Sequence, residues 1–167
     1  PWTLYPGEEG IFDRRRRSQF YYHAHEGADH EAGHFHTVRL FRDHTVHLVA
    51  ISMADTGWPR ALFTLNLWSV GDVYVSPEDL ARYARQYRIE SRKGDPRLVR
   101  FINLMFRAFR LEIEALQEAK ERAIQCYRAA HGGAAPFEDR SVEILSQVEI
   151  DIPAYLDGTR AHEEATR

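Results

Sequence analysis

Apolar and polar residues alternate along the first half of the chain with the period of two that indicates β-strands. In residues 18–25 (SQFYYHAH), a polar set that includes two histidines alternates with an aromatic set. Segments at 34–42, 45–53 and 60–70 are rich in β-branched and aromatic residues and are also predicted as strands. Because the connections between them are short, we expect an antiparallel meander of four strands.

The second half of the chain has the pattern of helices. The letters SPED at 76–79 supply an N-cap serine, a proline at the first helical position and two acids, and predict a helix to about residue 87. A second, amphipathic helix is expected from about 95 to 130, where two glycines stop it. At 1.5 Å per residue it would span roughly 50 Å, so we expect a kink or a break. Residues 141–156 are expected to form a short helix followed by an extended segment, and 157–167 a loose tail.

These elements predict one α+β domain over residues 1–167. An antiparallel four-stranded sheet over about 18–70 packs against C-terminal helices over about 76–156. The polar stripe and apolar face of the long helix also allow a homodimer through that helix.

Composition narrows the function classes. Hydrophobic residues at 44% and charged residues at 28% are ordinary for a globular protein. A formal charge of −3 gives no overall basic field for nucleic acid, and no run of 18 apolar residues predicts membrane insertion. Cys126 is the only cysteine, which excludes an internal disulfide and a cysteine-based zinc site, and we expect a cytoplasmic protein. The four arginines at 14–17 could bind an anion, although a solvated turn is the simpler interpretation.

Histidines are concentrated in residues 21–38 (YYHAHEGADHEAGHFHTV), which hold five of the nine in the chain. Alternate residues of a strand share a face. His23 and His25 therefore lie on the same face of the first strand, and His34 and His36 lie on the same face of the second. A symmetric loop would place His25 opposite His34 and His23 opposite His36. Four imidazoles at such cross-strand distances could converge on one metal ion.

Two other interpretations of this segment stay open. HEAGH at 30–34 matches the H-E-x-x-H pattern of zinc hydrolases, which needs His30 and His34 on one helical face with Glu31 as general base. Gly27 and Gly33 disfavour that helix. A hairpin whose histidines bind no metal is the third interpretation. His47 begins a later strand, and a structural role is the simpler interpretation for it.

The hairpin site predicts a metal-dependent enzyme that acts on a small-molecule substrate. Imidazole is a ligand for iron and for zinc, so the residue types do not identify the metal. A mixed set of histidine and carboxylate slightly favours an oxygenase-type iron site over a hydrolytic zinc site. Candidate catalytic groups are Glu31, as base or carboxylate ligand, and Tyr21; candidate substrate contacts are Asn66 and Trp68. A non-enzymatic metal-binding or sensing protein is the alternative from another class.

The combination of SQFYYHAH and HEAGHFHTV with HLVAISM and ALFTLNLW resembles a family of uncharacterised bacterial proteins of unknown function. The resemblance extends over most of the chain and implies no activity. The H-x-H spacing is also similar to that of cupins. The acids that follow HAH do not fit the cupin pattern in both type and spacing, so that likeness is an analogy.

Overall fold

The computed structural model describes residues 4–7, 10–24, 31–71 and 73–157. Within these ranges the strands form one antiparallel sheet in the order β1-β3-β4-β5-β6-β7, and β2 also pairs with β3. The strands are β1 (Leu4–Tyr5), β2 (Ile11–Asp13), β3 (Ser18–Ala24), β4 (Glu31–Leu40), β5 (Thr45–Ala54), β6 (Pro59–Leu65) and β7 (Ile144–Glu149).

The α+β class is confirmed, but the prediction of four strands is wrong. The four predicted strands form the centre of the sheet as β3 to β6. One edge is extended by β1 and β2, and the other by β7, which lies in a segment predicted to begin as a helix. The apolar spacing of residues 141–148 fits either element, and the free backbone edge of β6 supplies the hydrogen-bond partners that select the strand.

The described helices are α1 (Leu67–Val70), α2 (Pro77–Gln86), α3 (Pro96–Ala108) and α4 (Arg110–Ala130), with a 3₁₀ turn at Pro136–Glu138 and a last helical turn at 152–157. The predicted cap is confirmed, because the Ser76 side chain accepts a hydrogen bond from the Asp79 amide. The expected break in the long helix falls at Phe109. None of the described helices is both long and apolar enough to cross a membrane. The loose tail predicted at 157–167 lies, apart from its first residue, outside the described residues.

The fourth predicted strand is too long, because β6 ends at Leu65 rather than residue 70. Asn66 takes extended backbone angles and caps α1 by accepting a hydrogen bond from the Leu67 amide. The side chain of Asn66 is fully buried and also donates to the carbonyl oxygens of Pro136 and Val142. These bonds fix the point where the chain leaves the sheet.

One face of the sheet packs against the helices. Phe35, Ile51 and Leu62 lie opposite one another on neighbouring strands and are buried against apolar residues of α3 and α4 such as Ile102 and Ile113. Burial of each such side chain contributes roughly 1.5–3 kcal/mol. This face accounts for most of the apolar core, and the histidines lie on the opposite face.

Candidate metal centre

The β3–β4 pairing brings three of the predicted ligands onto one face. His23 lies opposite His34, and Tyr21 lies opposite His36. The predicted register is therefore wrong by two residues. Because a shift of two keeps each side chain on its face, His23 still lies beside His34 and His36. His25, the fourth predicted ligand, lies outside the described residues.

A β-bulge in β4 adds Glu31 to this face. Glu31 pairs with Ala54 and Gly33 with Met53, so Ala32 is an extra residue between them. An extra residue reverses the alternation of side chains beyond it. Glu31 therefore projects to the same side as His34, although an unbroken strand would separate residues three apart.

A second bulge, in β5, adds His47. Thr37 pairs with Val49 and Val38 with His47, which leaves Leu48 as the extra residue. Leu48 and Val49 both enter the helix-facing core, and His47 is turned to the histidine face. The Gln117 side chain, buried in α4, donates a hydrogen bond to the Leu48 carbonyl oxygen at 2.8 Å. A helix on the opposite face thus stabilises the bulge that places His47.

Small residues on the adjacent strand leave room for the imidazoles. Ser52 lies opposite His34, and Ala50 lies opposite His36. The ring of Phe63, on β6, packs edge-on against His34 at a centroid distance of 5.2 Å. Two small side chains and one aromatic ring therefore lie next to the His34 and His36 imidazoles.

Three close polar contacts connect the Glu31 carboxylate and the imidazoles of three histidines. Glu31 Oε1 lies 3.1 Å from His34 Nδ1, and His34 Nε2 lies 2.9 Å from His36 Nε2. His36 Nδ1 then lies 3.1 Å from His47 Nε2. All three distances are those of hydrogen bonds.

One set of neutral tautomers satisfies this series. The Glu31 carboxylate can only accept, so His34 donates from Nδ1 and its Nε2 carries a lone pair. His36 then donates from Nε2 to His34, and His47 donates from Nε2 to the free Nδ1 lone pair of His36. These three contacts thus need no added charge.

The same geometry also fits a metal ion. Ligand atoms of His23, His34 and His36 all lie within 4.8 Å of one another, so the histidine cluster could hold a metal. Two nitrogens 2.9 Å apart, as in His34 and His36, subtend an angle of about 90° at an ion about 2.05 Å from each.

Both inner ligands would keep an orienting partner in the metal-bound form. His34 Nδ1 donates to Glu31, and His36 Nδ1 donates to His47 once the His36 and His47 tautomers have exchanged. Hydrogen bonds of this kind fix the ring and raise the basicity of a ligating histidine. Metal binding therefore needs a tautomer exchange and replaces the hydrogen bond between His34 and His36, while the Nδ1 partner of each ring is kept.

Burial keeps His47 uncharged. Desolvation lowers its pKa from 6.5 to about 3, and the positive charge of Lys120, and that of His34 whenever His34 is protonated, act in the same direction. His47 is thus a neutral hydrogen-bond partner of His36 at physiological pH. Sequence reasoning assigned His47 a structural role, and the only signal for more was its place among seven histidines at positions 23–47.

The low pKa of His47 predicts a loss of stability in acid. The unfolded chain takes up a proton below pH 6.5 while the folded chain does not until about pH 3, so the stability present above 6.5 falls as pH decreases between these values. For metal-free protein, the free energy of unfolding in urea should fall by about 2 kcal/mol more between pH 7.5 and 5 in the wild type than in His47→Gln. Partly exposed His44, which lies outside the cluster, gives the control, His44→Gln, which should follow the wild type. Equal losses in the wild type and His47→Gln would contradict the prediction.

The remaining predicted site residues divide between two places. Tyr21 stacks on His36 with ring centroids 4.7 Å apart and lines a cavity of about 210 Å³ together with His47. Asn66 lies at the start of α1, and the Trp68 indole nitrogen donates to the Val142 carbonyl oxygen at 2.9 Å. The side chains of Asn66 and Trp68 thus donate hydrogen bonds to the backbone, and their contact with a substrate stays a prediction.

The alternative prediction of a zinc-hydrolase helix at residues 30–34 is wrong. Glu31 and His34 lie in β4, where residues three apart meet only because of the bulge at Ala32. His30, the other ligand of that pattern, lies outside the described residues. The H-x-H of His34 and His36 is the part of the motif that forms the cluster.

Comparison with protein families gives a match over most of the chain. Residues 1–150 match the family described as "Domain of unknown function (DUF6969)". No curated protein and no solved structure matches the chain. The resemblance to a family of unknown function is confirmed, and it assigns no chemistry to the histidines.

Proposed function

This chain belongs to the DUF6969 family, and we propose that its histidine cluster binds one divalent transition-metal ion and uses it in catalysis on a small molecule. The observation that carries this proposal is the convergence of His23, His34 and His36. Two of these rings are also held at Nδ1, by Glu31 and His47, so each Nε2 can face the ion. A set of surface histidines has no need of such orienting bonds.

Three imidazoles leave a coordination position for water. Because they are neutral, the ion keeps its full charge and acidifies the bound water more than it would beside an anionic ligand. A zinc-type site of this kind lowers the pKa of water to about 7 and yields hydroxide as a nucleophile. We therefore favour metal-activated water chemistry.

The oxygenase-type iron site expected from sequence needs a carboxylate on the metal. In the structure the Glu31 carboxylate contacts His34 Nδ1, which is the position of an orienting group. This placement favours a three-histidine set over a mixed one. Measurement of oxygen consumption by the iron-loaded protein distinguishes the two reactions, because an oxygenase consumes oxygen and metal-activated water chemistry does not.

The cavity beside Tyr21 and His47 supplies space for a small substrate. Its volume is about 210 Å³, and Gln19 and Thr45 add polar groups to its wall. None of the described side chains that line it is charged at neutral pH, since His47 is buried and neutral. A small uncharged polar molecule is the substrate class that fits.

A metal-binding protein without catalysis is the second candidate, and burial favours it. His34 and His36 are only 7% and 6% exposed, so access to an ion between them is restricted. Cobalt substitution separates the two proposals: visible absorption that changes on adding azide indicates an exchangeable position and supports catalysis. A cobalt spectrum insensitive to azide supports storage or structure.

Metal analysis of untagged protein tests both the catalytic and the non-catalytic metal-binding proposals. After loading with zinc or iron and gel filtration, we expect about one equivalent per chain, as a single three-histidine site requires. Less than about 0.2 equivalents of every first-row metal tried would overturn the metal proposals altogether.

Glu31 should tune this site without being a ligand. Removal of an orienting partner costs about 10- to 100-fold in metal affinity, so Glu31→Ala should weaken zinc binding by that factor at unchanged stoichiometry. Glu31→Gln, whose amide oxygen can still accept from His34, should recover part of the loss. Competition with a chromophoric chelator measures both, with exposed Glu118→Gln as the control. A loss of stoichiometry in Glu31→Ala would instead make Glu31 a ligand.

A further inference from the structure

A large apolar groove lies where the chain turns at three places. The β5–β6 turn, the break between α3 and α4, and the last helical turn at 152–157 enclose about 740 Å³. Its walls include Trp58, Phe101, Phe109 and Tyr155. Both the volume and the apolar lining are typical of small-molecule sites.

The groove is separate from the histidine cluster. Phe101 and Phe109 of its wall belong to the core on the helix-facing side of the sheet. None of the residues that line it lies within the histidine cluster or the 210 Å³ cavity. A ligand in the groove would therefore occupy a second site.

The walls expose more apolar surface than packing requires. Trp58 is 55% exposed, and Leu104 and Leu156 are each 45% exposed. Contiguous exposed apolar surface of this kind marks binding sites on proteins. The ten residues after position 157, GTRAHEEATR, contain no large apolar side chain and do not match its chemistry.

One charged side chain lines the groove. Among the described residues that line it, Arg107 alone carries a charge. Arg107 is exposed, and no carboxylate of the described residues forms an ion pair with it. A guanidinium at the rim of an apolar groove is complementary to an anion that carries an apolar body.

We propose that this groove binds a free, single-chain amphiphile with an anionic head, of the class of a medium-chain carboxylate. The alkyl chain of the ligand lies against Trp58, Leu104 and Phe109, and its carboxylate contacts Arg107. The affinity comes from apolar burial, and Arg107 selects the sign of the head group.

Calorimetric titration with three ten-carbon probes tests the proposal. We expect decanoate to bind once per chain with a dissociation constant of about 0.1 mM, tighter than decanol and tighter still than decylamine. The fluorescence emission of Trp58 should shift to the blue as the alkyl chain of decanoate covers the indole. This shift should be absent in Trp58→Phe. No binding of decanoate, or equal binding of decylamine, would overturn the proposal.

Variants locate the ligand. Arg107→Gln should weaken decanoate about tenfold and leave decanol unchanged, because it removes only a charged contact. Arg100→Gln, an exposed arginine on the same helix outside the groove, is the matched control and should bind as the wild type does. Ala108→Trp should fill the groove and abolish binding of every probe. If that variant fails to fold, Leu104→Gln at the exposed rim should weaken decanoate and decanol alike.

A second copy of the chain is the competing occupant. Sedimentation at about 50 µM protein should show the same oligomeric state with decanoate, without decanoate and in Leu104→Gln. A dimer that persists in decanoate and is dissociated by Leu104→Gln would assign the groove to self-association and overturn the proposal.

Discussion

Replacing His36 with alanine should abolish stoichiometric metal binding. His36 is the central residue of the cluster, with His34 Nε2 2.9 Å from its Nε2 and His47 Nε2 3.1 Å from its Nδ1. Loss of an orienting partner alone costs 10- to 100-fold in affinity, so loss of this ligand should cost about 100-fold or more. Metal analysis after gel filtration, together with chelator competition, measures the effect.

Controls separate ligand loss from unfolding. His44 lies in an exposed turn outside the cluster, so His44→Ala should retain the wild-type metal content. His36→Gln keeps a polar side chain of similar size and should also lose metal while keeping the circular dichroism spectrum of the wild type. A folded His36→Gln protein with a full equivalent of tightly bound metal would contradict the assignment of His36 as a ligand.

Replacing Gly33 with alanine should be the most damaging single methyl addition near the site. Gly33 has φ +144°, which disfavours any side chain, and a Cβ there would lie only 2.2 Å from the His23 carbonyl oxygen and 2.7 Å from the Tyr22 hydroxyl. Strain and overpacking together should cost about 3 kcal/mol or more in the free energy of unfolding.

The effect should reach the metal centre as well. Gly33 follows the bulge that turns Glu31 to the histidine face, and the clash falls on the backbone of His23. Urea unfolding and zinc affinity should therefore fall together. Gly57→Ala is the matched control, since Gly57 has φ +82° but no atom within 4 Å of the added Cβ, and strain alone should cost about 1 kcal/mol. Equal effects of the two substitutions would show that the close contact at Gly33 does not decide its role.

The central elements were predictable because their signals are local. Alternation of apolar and polar residues depends only on the period of a strand, and it located β3, β4 and β5 within a few residues. Ser76 and Pro77 begin α2 through local hydrogen bonding and fixed backbone angles. The edge strand β7 was missed because its backbone partner, β6, is about 80 residues away in sequence.

The site was predictable only in part for the same reason. His23, His34 and His36 share a face because strand geometry alone alternates side chains. Glu31 and His47 reach that face through bulges at Ala32 and Leu48, and no residue pattern in the sequence marks either one. Gln117, which binds the Leu48 carbonyl, comes from a helix 69 residues later.

The sequence by itself determined an α+β chain with a histidine-rich pair of strands, since composition and short-range periodicity are properties of neighbouring residues. Tertiary structure decided the register, the two bulges and the partners of each imidazole. Those features depend on backbone hydrogen bonds between strands and on helix packing across the sheet, where residues distant in sequence meet. A chain of contacts from Glu31 to His47 is therefore a property of the fold, although every histidine in it was visible in the sequence.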